Sequence, residues 1–466
     1  MSVTLHQEEI LDSLITILEH GDRVLVKGSA GVGKTFIVDT LIDRLSDKFN
    51  LNNKMIYCSA PTNKAVKVIK GKVLERDNLT FLTTHQALSL KRKVDYKTGA
   101  ISFIPGYSPK KPPLKGVALF IIDEVSMIKS DLQRYIEEFS DRFHVKVVFL
   151  GDDKQIKPVK EKFSPIFKGC PRDFYSLGEA EQFQKLGKNR TLTKNSARNF
   201  TVYTPYPEVE LTEIIRQSAG NSIIDLSRNL ETIGSGNDEV DIEFDGEMSG
   251  YVHLQDKQVV IENLAHENGT DNLKYLAWTN REVDNINFLV RQRIYGTPNK
   301  IELRESLVFN SPYRDLFVVS DEIKVENLEI VKKTFSYVSD KGGAVVPDLG
   351  QTPYYGEIEL KVYLINEEIP VIHEESEKAY KDLVYALTNK AKFSQIDWVD
   401  KMKFEEKFGD LKYNHALTVH KSQGSTYKQT ILNVRDIKKN RVKEEVNGLL
   451  YTGATRASEL LILYNY

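Results

Sequence analysis

Only two cysteines, Cys58 and Cys170, occur in the 466 residues. They are far apart and lack Cys-x-x-Cys spacing, which argues against a zinc site or redox pair and points to a reducing compartment. Long apolar runs are missing too. Stretches such as Ala118–Ile122 are far too short to span a bilayer, and the N-terminus turns polar at His6-Gln7-Glu8-Glu9 with no signal peptide visible. A soluble protein with no membrane partner is therefore expected. There is little net charge: 64 Lys and Arg against 66 Asp and Glu give −2. That balance neither suggests nor excludes nucleic acid, because a strand held in a narrow channel needs local basic and aromatic residues rather than a basic average. No internal repeat and no nuclease-like cluster of carboxylates with lysine stands out. At 41% hydrophobic and 28% charged, the chain is otherwise ordinary, with room for about three domains that each bury a core.

What is present starts with Gly28-Ser29-Ala30-Gly31-Val32-Gly33-Lys34-Thr35, which fits Gly-x-x-x-x-Gly-Lys-Ser/Thr. The run Arg23–Lys27 before it reads as a short buried strand and Phe36–Leu45 after it as a helix. Backbone N–H groups cradle phosphate when strand, turn and helix N-terminus line up in this way. Gly28 and residues Ala30 to Thr35 thus form a nucleotide site, with Lys34 reaching the β/γ-phosphates of ATP and the Thr35 hydroxyl on Mg²⁺.

Around this loop the pattern predicts an open parallel α/β sheet. A helix over Ile10–Leu18 precedes it, and a strand at Lys54–Ala60 runs into the turn Pro61-Thr62-Asn63-Lys64-Ala65. Phe81–Leu88 opens a helix with Thr84 as N-cap, and Lys91–Lys115 forms a small basic β-hairpin. Two more strands, Gly116–Ile122 and Val145–Leu150, close on Asp123-Glu124 and Gly151-Asp152-Asp153. Lys168–Pro207 reads as an irregular basic insertion, either a solvated loop or a DNA-facing surface. A second α/β region starts near Val209, with a strand at Leu273–Trp278 and a helix at Arg281–Ile294. Ile301–Ile372 reads as a barrel-like β module and Glu374–Phe408 as a polar helical stretch, before α/β character returns from Ala416 to the strand Leu460–Tyr464. The domains fall at 1–88 with 116–207, a hairpin at 89–115, 208–300 with 412–466, and a β insertion with helical extension at 301–411.

An apolar strand ending in Asp123-Glu124 supplies the second half of a phosphate-loop ATPase. Asp123 serves Mg²⁺, and Glu124 polarises the attacking water; taken alone, such a strand end is also an ordinary helix cap. Gln155, after the next strand, either faces the γ-phosphate or lies in a surface loop. The charge on the transferring phosphoryl group calls for arginine, and Arg216 and Arg456 are the two candidates.

The ordered set resembles a superfamily 1 helicase. Gly28–Thr35 is similar to motif I, Ala60–Ala65 to motif Ia, Thr83-Thr84-His85 to motif Ib, Asp123-Glu124-Val125-Ser126-Met127 to motif II and Gly151–Pro158 to motif III. Leu211–Gln217 resembles motif IV, Leu417–Ser425 motif V and Tyr451–Ala457 motif VI. The Asp-Glu-Val-Ser-Met and His-Lys-Ser-Gln-Gly wording and the late β insertion resemble the RecD-like 1B branch, and within it the phage Dda type. The resemblance spans Gln7 to Ala457, with one departure: Asn63 stands where Dda-type enzymes carry histidine.

That resemblance implies two RecA-like domains, each with a β insertion (a small hairpin in the first, an SH3-like barrel in the second), with ATP between them. It implies an ATP-dependent DNA helicase moving 5′ to 3′ on single-stranded DNA; the alternative is a translocase that displaces bound proteins with little unwinding. Arg216 and Arg456 become arginine fingers, Gln7 an adenine reader, and Gln423 and Gly424 nucleotide contacts. Pro61, Thr62, Asn63, Thr84, His85, Thr418, His420 and Lys421 fall where the family meets DNA, and Phe103 where an aromatic meets the duplex junction. On residue chemistry alone, the alternatives are an exposed helix-start glutamine for Gln7, a capping or core histidine for His85, and the hairpin's own core for Phe103. The expected partners are single-stranded and forked DNA and replication or recombination proteins, for a monomer in the cytoplasm of a bacterial or phage-infected cell.

Overall fold

The computed structural model describes residues 3–465 apart from 30–31, 96–100, 109, 159–160, 162–163, 188, 195–199, 214–222, 224–225, 227–249, 271, 312, 315–316, 318, 320 and 341–353. Two all-parallel sheets organise it. The first runs Glu208–Leu211, Arg23–Gly28, Lys146–Gly151, Val117–Ile122, Met55–Ala60, Leu79–Thr83 in spatial order. The second runs Tyr251–Leu254, Ala457–Tyr464, Tyr427–Asn433, Leu273–Ala277, Ala416–Thr418. Helices cover both faces of the first sheet, so its central strands are continuous apolar runs: Val24, Leu25 and Val26, then Val147, Val148, Phe149 and Leu150, are all buried. One face packs under the helices Leu5–His20 and Ile37–Phe49, the other under Ser130–Phe143. In such sheets ligands gather beyond the carboxyl ends of the strands. Gly28, Asp123, Asp152, Pro61 and Thr84 all lie there.

Among the described residues the insertions are antiparallel. Leu90–Val94 pairs with Ile101–Pro105 in the hairpin. In the second half, Glu322–Lys324, Ser306–Phe309 and Leu411–Tyr413 form one three-stranded sheet, and Leu328–Asp340, Tyr354–Ile365 and Ile369–Ile372 another. They share a core of Leu307, Phe309, Ile323, Val325, Tyr363 and Ile365. The polar helical stretch divides into Glu377–Lys392 and Trp398–Glu405, which pack on the long hairpin through Leu387 and Phe404, joined by Phe408 just beyond the second helix.

Four sequence expectations need correction. The second α/β region does not start near Val209: Glu208–Leu211 pairs in parallel with Arg23–Gly28 and is an edge strand of the first sheet. Lys168–Pro207 is not irregular: Cys170–Phe174, Phe200–Thr204 and Thr191–Lys194 form a sheet, with the helix Leu177–Lys185 laid on Val202 and Phe200 through Ala180. Phe81–Thr83 is not helical but the end of a strand beside Met55–Ala60. The N-cap of the short helix that follows is Thr83, not Thr84. Thr83 accepts from Gln86 N–H while Gln86 accepts from Thr83 N–H, which is a capping box.

Candidate active site and nucleic-acid interface

The phosphate-loop strand delivers Gly28 into a space that admits only glycine. An added Cβ would stand 2.7 Å from Val32 Cγ2 and 2.9 Å from the Leu211 carbonyl oxygen. Beyond it, the Lys34 ammonium donates to the Gly28 and Ser29 carbonyls at 2.5 and 2.8 Å. The Thr35 hydroxyl donates to Asp123 at 2.8 Å. Ala30 and Gly31 lie outside the described residues.

Asp123 is buried, and its second oxygen accepts the N–H of Glu124 at 2.8 Å. Glu124 adopts φ 54°, a left-handed conformation that costs a non-glycine residue about 1 kcal/mol or more. Burial, and then the Asp123 carboxylate, raise the Glu124 carboxyl above its ordinary range; Arg456 and Lys34 pull it back. Its Oε2 is buried with no hydrogen-bond partner among the described residues.

Two features of this pocket fit a nucleotide and a divalent ion. Lys34 spends its donors on the loop's own carbonyls, a substitute for phosphate oxygens, and Glu124 holds an uncommitted acceptor beside it. Thr35 and Asp123 offer the hard oxygens that Mg²⁺ takes.

The second sheet supplies the opposite wall. Arg456 is buried, and its guanidinium is fixed by the Thr452 and Ser425 carbonyls at 2.9 and 3.0 Å and by Thr455 Oγ1 at 3.2 Å. Gln423 crosses the cleft: its amide lies 3.2 Å from Ser126 Oγ, 3.4 Å from Gln155 Oε1 and 3.3 Å from the Ile156 carbonyl. Gly424, with φ 76°, faces the turn after Ala60, where a Cβ added to it would meet Ala65 and Thr62. Arg216 is outside the described residues. Gln7 is not the exposed helix-start glutamine of the alternative reading: it is wholly buried, closes a capping box with Thr4 through Oε1, and has an Nε2 unpartnered among the described residues.

The residues tied to DNA by motif position are spread across both sheets. Pro61, Thr62 and Asn63 are half-buried at a helix start that Thr62 caps. Thr84 is wholly buried with its hydroxyl 3.3 Å from Ser59 Oγ, so that side chain is turned away from any strand on the surface. His85 lies against Phe103 with ring centroids 4.5 Å apart, and Phe103 remains 45% exposed, so it does not fill a core of the hairpin. Across the strand pair from Phe103, Arg92 reaches Glu406 of the second insertion at 3.0 Å. Thr418 caps the short helix Val419–Ser422, His420 is exposed, and Lys421 donates to Asn310 at 2.5 Å. Burial and the neighbouring Lys412 lower the Lys421 pKa. Its only described side-chain partner, Asn310, is uncharged. The cysteines are free, with Cys58 buried in the sheet, and no group of His, Cys, Asp or Glu among the described residues could hold a metal by itself. No described helix is long and apolar enough to cross a membrane.

The two RecA-like sheets and the cleft between them define a phosphate-loop ATPase. The AAA domain family model matches residues 13–161, and that of the UvrD-like helicase C-terminal domain matches residues 413–464. The ATP-dependent DNA helicase dda of Enterobacteria phage T4 is 24% identical over 475 residues, covering 94% of each chain. The uncharacterized protein R530 of Acanthamoeba polyphaga mimivirus is 24% identical over 496 residues, covering 93% of each. The solved Pif1 helicase of Candida albicans aligns over 100% of this chain and 95% of its own, at 17% identity and TM-score 0.47. By these matches the chain is similar to superfamily 1B helicases of the Dda type, with an AAA domain and a UvrD-like helicase C-terminal domain.

Proposed function

We propose that this chain is a DNA helicase that moves 5′ to 3′ along single-stranded DNA, hydrolyses ATP with Mg²⁺ between its two sheets, and separates duplex at a fork. The observation that supports the ATP step best is Gln423 bonded across the cleft to Ser126, Gln155 and Ile156, beside a Glu124 carboxylate with a buried oxygen unpaired among the described residues. On this reading Lys34 leaves its loop carbonyls for phosphate oxygens, and Glu124 accepts the proton of the attacking water. Arg456, held rigid by backbone carbonyls, faces the developing charge without reorganising; Arg216 is assigned the same role by motif position. Thr35 and Asp123 would hold Mg²⁺, which supplies charge neutralisation on the phosphates when bound. Cleavage loosens the links across the cleft, and the alternate grip of the two sheets on the strand becomes motion. Single-stranded and forked DNA are the partners of this reading, with the chain working as a monomer in the cytoplasm alongside replication or recombination proteins.

The test is unwinding of duplexes with a single tail of either polarity. Opening of 5′-tailed but not 3′-tailed substrate is expected, with no opening by Lys34→Ala. Opening of 3′-tailed substrate alone overturns the direction. DNA-stimulated ATPase without opening of either substrate identifies a translocase that clears bound proteins.

A further inference from the structure

Tyr451 and Asp152 form a hydrogen bond that joins the two halves of the molecule inside the cleft. Tyr451 lies near the end of the helix Lys443–Ala454, on the second sheet's side, and is 1% exposed. Its hydroxyl donates to Asp152 Oδ2 at 2.7 Å, across 299 residues of chain. Asp152 follows the first-sheet strand Lys146–Gly151 and is itself 2% exposed. A carboxylate that deep needs donors. Oδ1 accepts Lys154 N–H at 3.1 Å, and Oδ2 takes Tyr451 and, at 3.4 Å, the amide of Gln155.

The consequence falls on Gln155. Its Nε2 is directed by Asp152 and its Oε1 by Gln423, at 3.4 Å each. One of those partners belongs to the second sheet, and the other is anchored by Tyr451 of the second sheet. The next residue, Ile156, donates its N–H to Thr452 Oγ1 at 3.2 Å, so consecutive residues of one helix grip one loop. If the sheets part, Tyr451, Thr452 and Gln423 leave together, and the Gln155 amide loses both of its guides. The two 3.4 Å links are the long, loose kind that tighten when a catalytic site closes.

The geometry points to Tyr451 as a positioning residue for ATP hydrolysis: through Asp152 it sets the orientation of Gln155 only when the two sheets are closed. Tyr451 touches no phosphate; it transmits closure to the residue that faces one. This rests on the proposed reading of Gln155 at the γ-phosphate.

The experiment is steady-state ATPase with single-stranded DNA on the full chain, comparing Tyr451→Phe, Asp152→Asn and the double variant with the unaltered protein. Tyr451→Phe keeps the ring and removes only the donor. It should lower kcat about tenfold, the worth of one buried hydrogen bond, with the KM for ATP within about twofold. Asp152→Asn leaves one oxygen for two sets of donors and should lower kcat similarly. The double variant should be no worse than the poorer single, because both break one link. Asp152→Asn also leaves the second sheet's core untouched, so the proposal stays testable if Tyr451→Phe folds poorly. Unchanged kcat in both single variants, losses that multiply in the double, or a raised KM at constant kcat would each overturn the positioning role. An unaltered protein without ATPase would instead overturn the reading of the site itself.

Discussion

Thr35 and Asp123 are 88 residues apart in sequence, and the hydroxyl of one donates to the carboxylate of the other at 2.8 Å. The bond places the start of the phosphate-loop helix and the end of the strand Val117–Ile122 in one pocket, where hydroxyl, two carboxylates and Lys34 converge. Lys34→Ala removes the group that reaches phosphate, and Glu124→Gln the base while keeping its shape. Each should cut DNA-stimulated ATPase at least about a hundredfold, the usual scale for losing one preorganised electrostatic group. Glu124→Gln should still bind nucleotide, because its amide leaves Lys34 and Thr35 in place. A phosphate-release assay beside a nucleotide-binding titration separates the two; turnover by Glu124→Gln within tenfold of the unaltered protein would remove Glu124 from the role of base.

Phe103 lies against the His85 ring, with centroids 4.5 Å apart, and is 45% exposed. A half-exposed aromatic backed by a second ring can stack on a terminal base pair for about 1–3 kcal/mol. Phe103→Ala should therefore slow fork opening about tenfold or more while ATPase on single-stranded DNA stays within about twofold. Parallel unwinding and ATPase measurements check this; equal loss of both, or of neither, excludes the wedge.

The contrast between what the residues revealed and what they concealed has a physical origin. Val117–Ile122 and Lys146–Gly151 are buried on both faces, so each is a continuous apolar run that announces a parallel strand. Leu79–Thr83 has two half-buried residues, one exposed, and a helical turn directly after it, so the short segment blends into the helix. The Thr83-x-x-Gln86 spacing was nonetheless a readable capping box, and it names Thr83 rather than its neighbour. In the insertion sheet the central strand is buried on both faces, Thr201 and Tyr203 with Phe200 and Val202, while the flanking Cys170–Phe174 and Thr191–Lys194 have no buried residue, so no strand shows a clean alternation. Tyr451 and Asp152 both stood inside recognisable motifs, but no spacing rule predicts a contact across so much chain. Arg216 keeps its role only by motif position, since it lies outside the described residues.

His415, at the entry of the strand Ala416–Thr418, is 1% exposed, and neither ring nitrogen has a partner among the described residues. Burial, then the nearby Lys274 and Arg291 charges, lower its pKa from 6.5 to about 4. Because the folded value lies below the unfolded one, the unfolded chain takes up the proton first as pH falls. Stability is complete above 6.5, declines as pH falls from there to about 4, and changes no further from this group below that. The slope is about 1.4 kcal/mol per pH unit. His415→Leu, similar in size and never charged, should flatten the loss. Urea unfolding of both proteins at about pH 7 and pH 5, followed through the second sheet, tests it: parallel losses in the two proteins would rule out this histidine.

Gly424 sits where two costs meet. Its φ of 76° is a left-handed conformation, and a Cβ there would lie 3.3 Å from Ala65 Cβ and 3.8 Å from Thr62 Oγ1. Gly424→Ala therefore carries about 1 kcal/mol of backbone strain and also pushes the seam apart by a few tenths of an ångström. Gln423, the adjacent residue, reaches Gln155 with a bond already 3.4 Å long, so a small spread breaks it. ATPase with DNA should fall about fivefold, more than strain in a surface turn would explain. Ala65→Gly makes room without touching the φ of Gly424, although it costs its own helix about 1 kcal/mol. Combined with Gly424→Ala, it should restore most of the ATPase while leaving the protein less stable than either single variant. Recovery of activity at lower stability can come only from seam spacing, because no route through global folding produces it; a double variant as slow as Gly424→Ala alone would assign the defect to backbone strain and release the seam from any part in turnover.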